Sequence, residues 1–242
     1  MDKNSGRFTF LFASVMVIAV AVLLSLAAIG LKSYQEQNVR AEKMQNILQS
    51  IGVQSDRKEA EKIFNQFIRE RIVLDNKGAV VNGEIDPFDI DLKKEQDKLK
   101  TGNADKQLFP LFVLSKENEI YYVIPARGKG LWGPIWGYIA LKGDMNTISG
   151  VSFDHKSETP GLGAEISTPA FQKQFVGKKI FDDSGNFTSV TVIKGGAAPS
   201  DLHGVDAISG GTVTSNGVTE MMKRTLGNYL PYMKSKERQA LR

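Results

Sequence analysis

The sequence predicts an α+β protein: one apolar helix near the N-terminus, then a domain in which an antiparallel sheet carries flanking helices. Three observations predict it. Phe8 to Leu31 runs without a charged residue. In the middle of the chain, "LFPLFVLS", "EIYYVIPA", "IWGYIALK" and "TISGVSFDH" are short runs of branched and aromatic residues separated by glycine or charged turns, the pattern of a meander. Segments with helical spacing lie on either side, so strands and helices alternate irregularly rather than in βαβ units.

The N-terminal stretch spans roughly 36 Å as a helix at ~1.5 Å per residue, enough for a hydrocarbon core of about 30 Å. Ser25-Leu26-Ala27 resembles a small-residue cleavage site. However, the apolar run is longer than the ~7–15 residues of a signal peptide, so an uncleaved anchor over 1–32 is expected. Lys3 and Arg7 precede it and Lys32, Arg40 and Lys43 follow it, so charge does not orient it.

Residues 33–106 read as a membrane-proximal helical and hairpin region. Met44, Ile47 and Leu48 form one apolar group. Ile63, Phe64, Phe67, Ile68 and Ile72 form a second at helical spacing, with Gly52 the expected break between them. "DNKG" (75–78) reads as a hairpin turn between "RIVL" and "AVVNG", and 91–106 as a charged, solvated excursion. The remaining domain, 107–242, holds the meander. A helix is expected over 168–180 with Phe171, Phe175 and Val176 on one face, and a strand over 187–196. A closing helix from Thr214 should turn Val218, Met221, Met222, Leu226 and Tyr229 to the core.

Composition excludes several classes of function. Cys is 0, which rules out disulfides, zinc–thiolate and iron–sulfur sites, and His is 2, too few for a histidine-rich metal centre. The net charge of +4 comes from scattered lysines with no basic stripe interleaved with aromatics, so nucleic acid is not an expected partner.

Gly128-Lys129-Gly130-Leu131-Trp132-Gly133 matches G-x-G-x-x-G as a string. A dinucleotide site needs a helix after it, and here Pro134 and a strand follow, so a tight turn between strands is expected. The turn would place Trp132 and Trp136 at one end of the sheet, as core or as the wall of a ligand site. His155 has no partners that would make it a catalyst. "DAISGGTVTSNGV" (206–218) gathers Ser209, Thr212, Thr214 and Ser215 on a glycine turn before a helix, with no P-loop lysine and no activating base beside it. A phosphate at the helix N-terminus and a simple cap by Thr214 or Ser215 both fit that spacing.

Asp206-Ala207-Ile208-Ser209-Gly210-Gly211-Thr212 resembles the flavinylation motif D-x-x-[ST]-G-A-T of FMN-binding domains. The resemblance implies that Thr212 is joined to the FMN phosphate as a phosphoester. A separate flavin transferase would make the bond with FAD as donor and Mg²⁺, so this chain needs only an acceptor hydroxyl. Gly211 stands where that family usually has Ala; removing the methyl should loosen the turn without removing any chemistry. "SETPGLGAEI" resembles the flavin-side loop shared by the NqrC family of the Na⁺-translocating NADH:quinone reductases and the related FMN-bearing G-type proteins of the Rnf complexes. "GKGLWGPIWGYIAL", "SGGTVTSNGV" and the single anchor resemble the former more closely. The likeness runs strongly from Tyr121 to Tyr229 and weakly from Ser33 to Lys106.

By that resemblance Asp206, Ser209, Gly210 and Gly211 surround the tether. Glu158, Thr159, Gly161 and Leu162 border the ring, with Trp132 and Lys194 beside it. The implied role is electron transfer inside a bacterial inner-membrane complex. The domain would be periplasmic, the other subunits and membrane lipid its partners, and no side chain would act as acid, base or metal ligand. The sodium path is expected elsewhere, since an uncharged span offers no ion ligands. The alternatives are an electron carrier like the G-type protein of the Rnf complexes, or a membrane-anchored sensor holding FMN noncovalently.

Overall fold

The computed structural model describes residues 6–83 and 85–240; Lys3, one of the flanking charges, lies outside them. The chain divides into two compact units, Met1–Glu42 and Lys43–Arg242.

The first helix, α1 (Gly6–Ser50), is long and apolar enough to cross a membrane, by length and composition. It does not stop after the apolar run. Residues 33–50 contain no proline or glycine, and most of them are good helix formers, Gln and Glu foremost, so the separate membrane-proximal helix expected there is the continuation of α1. Gly52 ends it as expected. With φ +74, it lets its own N–H reach the Gln49 carbonyl (2.9 Å) while the Val53 N–H reaches that of Leu48 (2.9 Å), a Schellman closure.

In the second unit α2 (Ala60–Phe67) leads directly into β1 (Ile68–Leu74). The helical face expected from Ile63 to Ile72 is therefore cut at Phe67. Ile68 and Ile72 lie in the strand, paired with Leu114 and Leu111. The 75–78 turn forms, held by Asp75 Oδ1 accepting from the N–H groups of Lys77 and Ala79 (2.9 Å each). Its second arm forms no strand of its own among the described residues; it contributes the bridge of Val80 to Leu74 and the Val81 N–H donating to the Val73 carbonyl at 2.8 Å. The charged excursion contains α3 (Leu92–Lys100), capped by Asp91, with no buried residue.

The strands β2 (Phe109–Lys116), β3 (Glu119–Lys129), β4 (Pro134–Lys142) and β5 (Ile148–His155) complete a five-stranded sheet in the order β1-β2-β3-β4-β5, antiparallel throughout. This is the expected meander with β1 added at its edge. Both faces are buried. Phe109, Leu111, Val113, Ile124, Ala126, Ile139 and Leu141 belong to the core beneath the last helix. The alternate residues Phe112, Leu114, Val123 and Ala140 are buried on the other side. There Phe112 packs with Phe88 and Phe64 (ring centroids 4.7 and 6.3 Å), and Met44, Ile47, Leu48 and Ile51 from the end of α1 and its cap are buried with them.

The helix expected over 168–180 is shorter: α4 (Pro169–Gln172) and one 3₁₀ turn to Phe175. Phe171 and Phe175 are buried as expected, but Val176 is exposed, because its backbone is already extended and Gly177 follows with φ +80. The strand expected over 187–196 is confined to β6 (Thr191–Ile193), whose partner is β7 (Gly204–Asp206), in parallel. The closing helix α5 (Thr212–Ala240) begins earlier and runs further than expected, across Pro231. Its predicted core residues are all buried. Near its start α5 lies so close to β3 that a Cβ at Gly128 would come within 2.8 Å of Met221 Cβ.

Candidate functional site

The site lies where β6, β7 and the start of α5 meet. The Ile193 carbonyl accepts from the N–H groups of Gly196 (3.3 Å) and Ala207 (3.0 Å), so the segment after β6 and the segment after β7 leave the pair side by side. Gly195 and Gly196 take φ +90 and +102, which lets the first segment turn back at Lys194. Asp206 locks that turn, its Oδ1 accepting from the Ala197 N–H at 2.7 Å, while its own N–H donates to Gln174 Oε1 at 2.7 Å. Next, Ile208 to Gly211 form a β-turn closed by Gly211 N–H to the Ile208 carbonyl (3.0 Å), with Gly210 at φ +72 in its third position. A Cβ at Gly211 would lie 2.9 Å from Ile208 Cγ2.

The Ser215 N–H donates to the Gly211 carbonyl at 2.9 Å, which makes Gly211 the cap position and Thr212 the first residue of α5. The cap expected from Thr214 or Ser215 is therefore not formed. Ser215 Oγ instead accepts from the Ile208 N–H (3.2 Å), and Thr214 Oγ1 donates to Glu158 Oε2 (2.5 Å). Both residues are 1% exposed. Thr212 is exposed and opens into a cleft of about 470 Å³, walled by Lys194 and the Gly195–Gly196 pair on one side and by Asp206 to Gly210 on the other.

The cleft thus gathers Lys194, Asp206, Ser209, Gly210 and Thr212. Gly211 is buried behind the turn. Leu162 adjoins the cleft, since a Cβ at Gly210 would lie 2.6 Å from its Cδ2. Thr159 and Gly161 belong to an exposed turn beside it. Pro160 and Gly161 (φ +75) occupy its centre, and the Leu162 N–H donates to the Thr159 carbonyl at 3.1 Å. The 128–133 segment is the expected strand-to-strand turn. At its tip Leu131 and Trp132 are exposed (53% and 66%), whereas Trp136 is half-buried.

Glu158 is not an open loop acid. It is 4% exposed, its Oε1 accepts from the Trp132 N–H at 2.8 Å, and its own N–H donates to Nδ1 of His155 at 3.1 Å. Burial alone would push its carboxyl up. The Thr214 hydroxyl and the amides of Trp132, Leu131 and Gly133 outweigh burial and hold it below the usual carboxylate range. Sequence reasoning missed Thr214 as its partner.

These features fit an anionic group tethered at Thr212. An exposed hydroxyl stands on the first turn of a long helix whose leading N–H groups lack intrahelical acceptors. A lysine shares the cleft, Gly195, Gly196 and Gly210 form part of its walls, and the volume is in the range of cofactor sites.

Residues 130–227 match the FMN-binding domain family. The chain is 32% identical over 238 residues to the NqrC protein of Vibrio anguillarum, the C component of its Na(+)-translocating NADH-quinone reductase, covering 94% of this chain and 92% of that one. The crystal structure of the corresponding protein from Parabacteroides distasonis superposes with a TM-score of 0.74 at 42% identity, over 84% of this chain and 96% of that one. That of Shewanella oneidensis NqrC gives a TM-score of 0.69 at 28% identity, over 81% and 97%.

Proposed function

The chain belongs to the NqrC family of the Na(+)-translocating NADH-quinone reductases, and we propose that it carries FMN joined through its phosphate to Thr212 and relays electrons within that Na⁺-pumping membrane complex. One observation carries the choice of residue. Of the hydroxyls clustered at the start of α5, those of Thr214 and Ser215 are buried and engaged, while Thr212 is exposed and faces the cleft that holds Lys194. An attaching enzyme can reach Thr212 without unfolding the helix.

FMN supplies reversible one- and two-electron chemistry when bound. The chain's own residues hold it. The Lys194 ammonium and the leading amides of α5 offset the phosphodiester charge. Gly195, Gly196 and Gly210 let backbone approach closely, Asp206 fixes the turn that carries Lys194, and Ser209 offers a hydroxyl at the cleft wall. Leu162, with Thr159 and Gly161 on the turn beside it and Trp132 at the hairpin tip, supplies the surface against which the ring would lie. Glu158 supports that surface from within. A flavin transferase is the partner in maturation. The other subunits and the lipid around α1 are the partners in operation, with the domain on the periplasmic side. With no charge between Phe8 and Leu31, the ion path lies in other subunits.

The test is intact mass after co-expression with a flavin transferase. Thr212→Val keeps shape and branching and deletes the hydroxyl, so the flavin mass increment should vanish, while Thr214→Ser keeps it. A flavin increment on the Thr212→Val chain would overturn the assignment.

A further inference from the structure

Glu158 is a buried charge that electron relay does not require. Its carboxylate is shared by three segments far apart in sequence: the loop after β5 that bears it, the tip of the β3–β4 hairpin through the Trp132 N–H (2.8 Å), and the third residue of α5 through Thr214 Oγ1 (2.5 Å). The space around it is shaped by glycine on both sides. A Cβ at Gly130 would stand 2.6 Å from Oε1, and one at Gly163 would collide with Oε2 and with the Thr214 hydroxyl. Moving Oε1 would break the bond from the Trp132 N–H, and moving Oε2 would leave the buried Thr214 hydroxyl unpaired.

We infer that Glu158 is a positioning residue, a latch that ties the first turn of α5, and with it Thr212, to the hairpin tip that presents Leu131 and Trp132. The inference rests on the reading that Thr212 carries the FMN. The tether fixes only one end of the cofactor. The latch fixes where that end stands relative to the exposed apolar tip. Its working unit is a through-bond chain from Trp132 N–H to carboxylate to Thr214 hydroxyl, so loosening either contact should be felt at the other.

Amide hydrogen exchange on the full chain in detergent, without flavin, reads that coupling. Thr214→Val removes one contact only, yet exchange should rise by about tenfold or more both at the first hydrogen-bonded amides of α5, from Ser215 onward, and in residues 130–133. Thr214→Ser, which restores the hydroxyl, should return both segments to wild-type rates. On the flavin-bearing chain, Thr214→Val should shift the flavin absorption spectrum and midpoint potential, and Thr214→Ser should match wild type. Faster exchange confined to α5, failure of Ser to restore it, or an unchanged flavin spectrum in Thr214→Val would each overturn the latch. Absence of flavin mass from every chain, wild type included, would instead remove the Thr212 reading and leave the exchange result standing.

Discussion

The two faces of the sheet are buried by opposite ends of the sequence, and only one of them leads to a site. One face is covered by the end of α1, its cap and α2, residues 43–67, with Phe64, Phe88 and Phe112 in mutual contact. Buried side chains fill it. The other is covered by α5, and its core of Met221, Met222, Leu226 and Tyr229 stops where the helix begins. At that margin the chain uses glycines, a lysine and hydroxyls in place of apolar bulk, and the cleft opens there. The candidate site sits where the packing of α5 on the sheet ends.

The comparison breaks first if the N-terminal cover is dispensable. A chain starting near Lys32 keeps Met44, Ile47, Leu48 and Ile51 and should fold in solution. A chain starting at Asp56 loses them, at ~1.5–3 kcal/mol for each large apolar side chain. That loss is comparable with the ~5–15 kcal/mol total stability of a domain. The shorter chain should show no cooperative thermal transition by circular dichroism; a sharp transition there would mean that the aromatic face is covered without α1.

A smaller effect on the same face is Phe112→Ala. It should cost about 3–5 kcal/mol in urea denaturation, and the folded fraction should still accept flavin, since Phe112 is on the face away from the cleft. Loss of attachment at temperatures where the variant is folded would show the two faces to be coupled.

On the α5 side, acid sharpens the contrast. Burial pushes the Glu158 carboxyl up, and its hydrogen bonds outweigh that and set it below its ordinary value. Its contribution is therefore complete above the usual carboxylate range, near pH 4.5, and is lost as pH falls through the depressed value. Glu158→Gln should be less stable than wild type at pH 7, and the gap should narrow by pH 3, measured by chemical denaturation at both. A gap that stays constant would mean that the charge of Glu158 contributes nothing. The smallest effect is at the proposed tether: Thr212→Val, at an exposed site, should leave stability within about 0.5 kcal/mol of wild type, while the proposed covalent flavin should be abolished.

What the sequence shows follows the range of the interaction. The order of the meander is legible because each turn is local, as at Gly130 to Gly133 between β3 and β4, where the Gly130 N–H donates to the Gly133 carbonyl at 2.8 Å. The burial of both faces is written in "LFPLFVLS", an apolar run without alternation, as expected of a strand covered on two sides. The exchange of helix for strand at Ile68 is not legible, because an apolar pair spaced as Phe64 and Ile68 suits the end of a helix as well as the entry of a strand. The pairing of Thr214 with Glu158 joins residues 56 apart. From spacing alone a hydroxyl there is a helix cap, and only the fold shows that Gly211 already occupies that position. Lys194 came from family resemblance, and its place across from Thr212 depends on the parallel β6–β7 pair, two strands too short to announce themselves.

The glycine at position 211 is bound to its neighbour in the turn. An added methyl would stand 2.9 Å from Ile208 Cγ2 and 3.1 Å from its Cβ, so the branched side chain occupies the volume that an alanine would need. The two positions should therefore exchange bulk over evolutionary time. Lineages that place alanine before the acceptor threonine should carry an unbranched or smaller residue three positions earlier, and a lineage that keeps isoleucine there should keep glycine. The motif's variable letters would then form a single inherited choice of how to fill one small space behind Thr212.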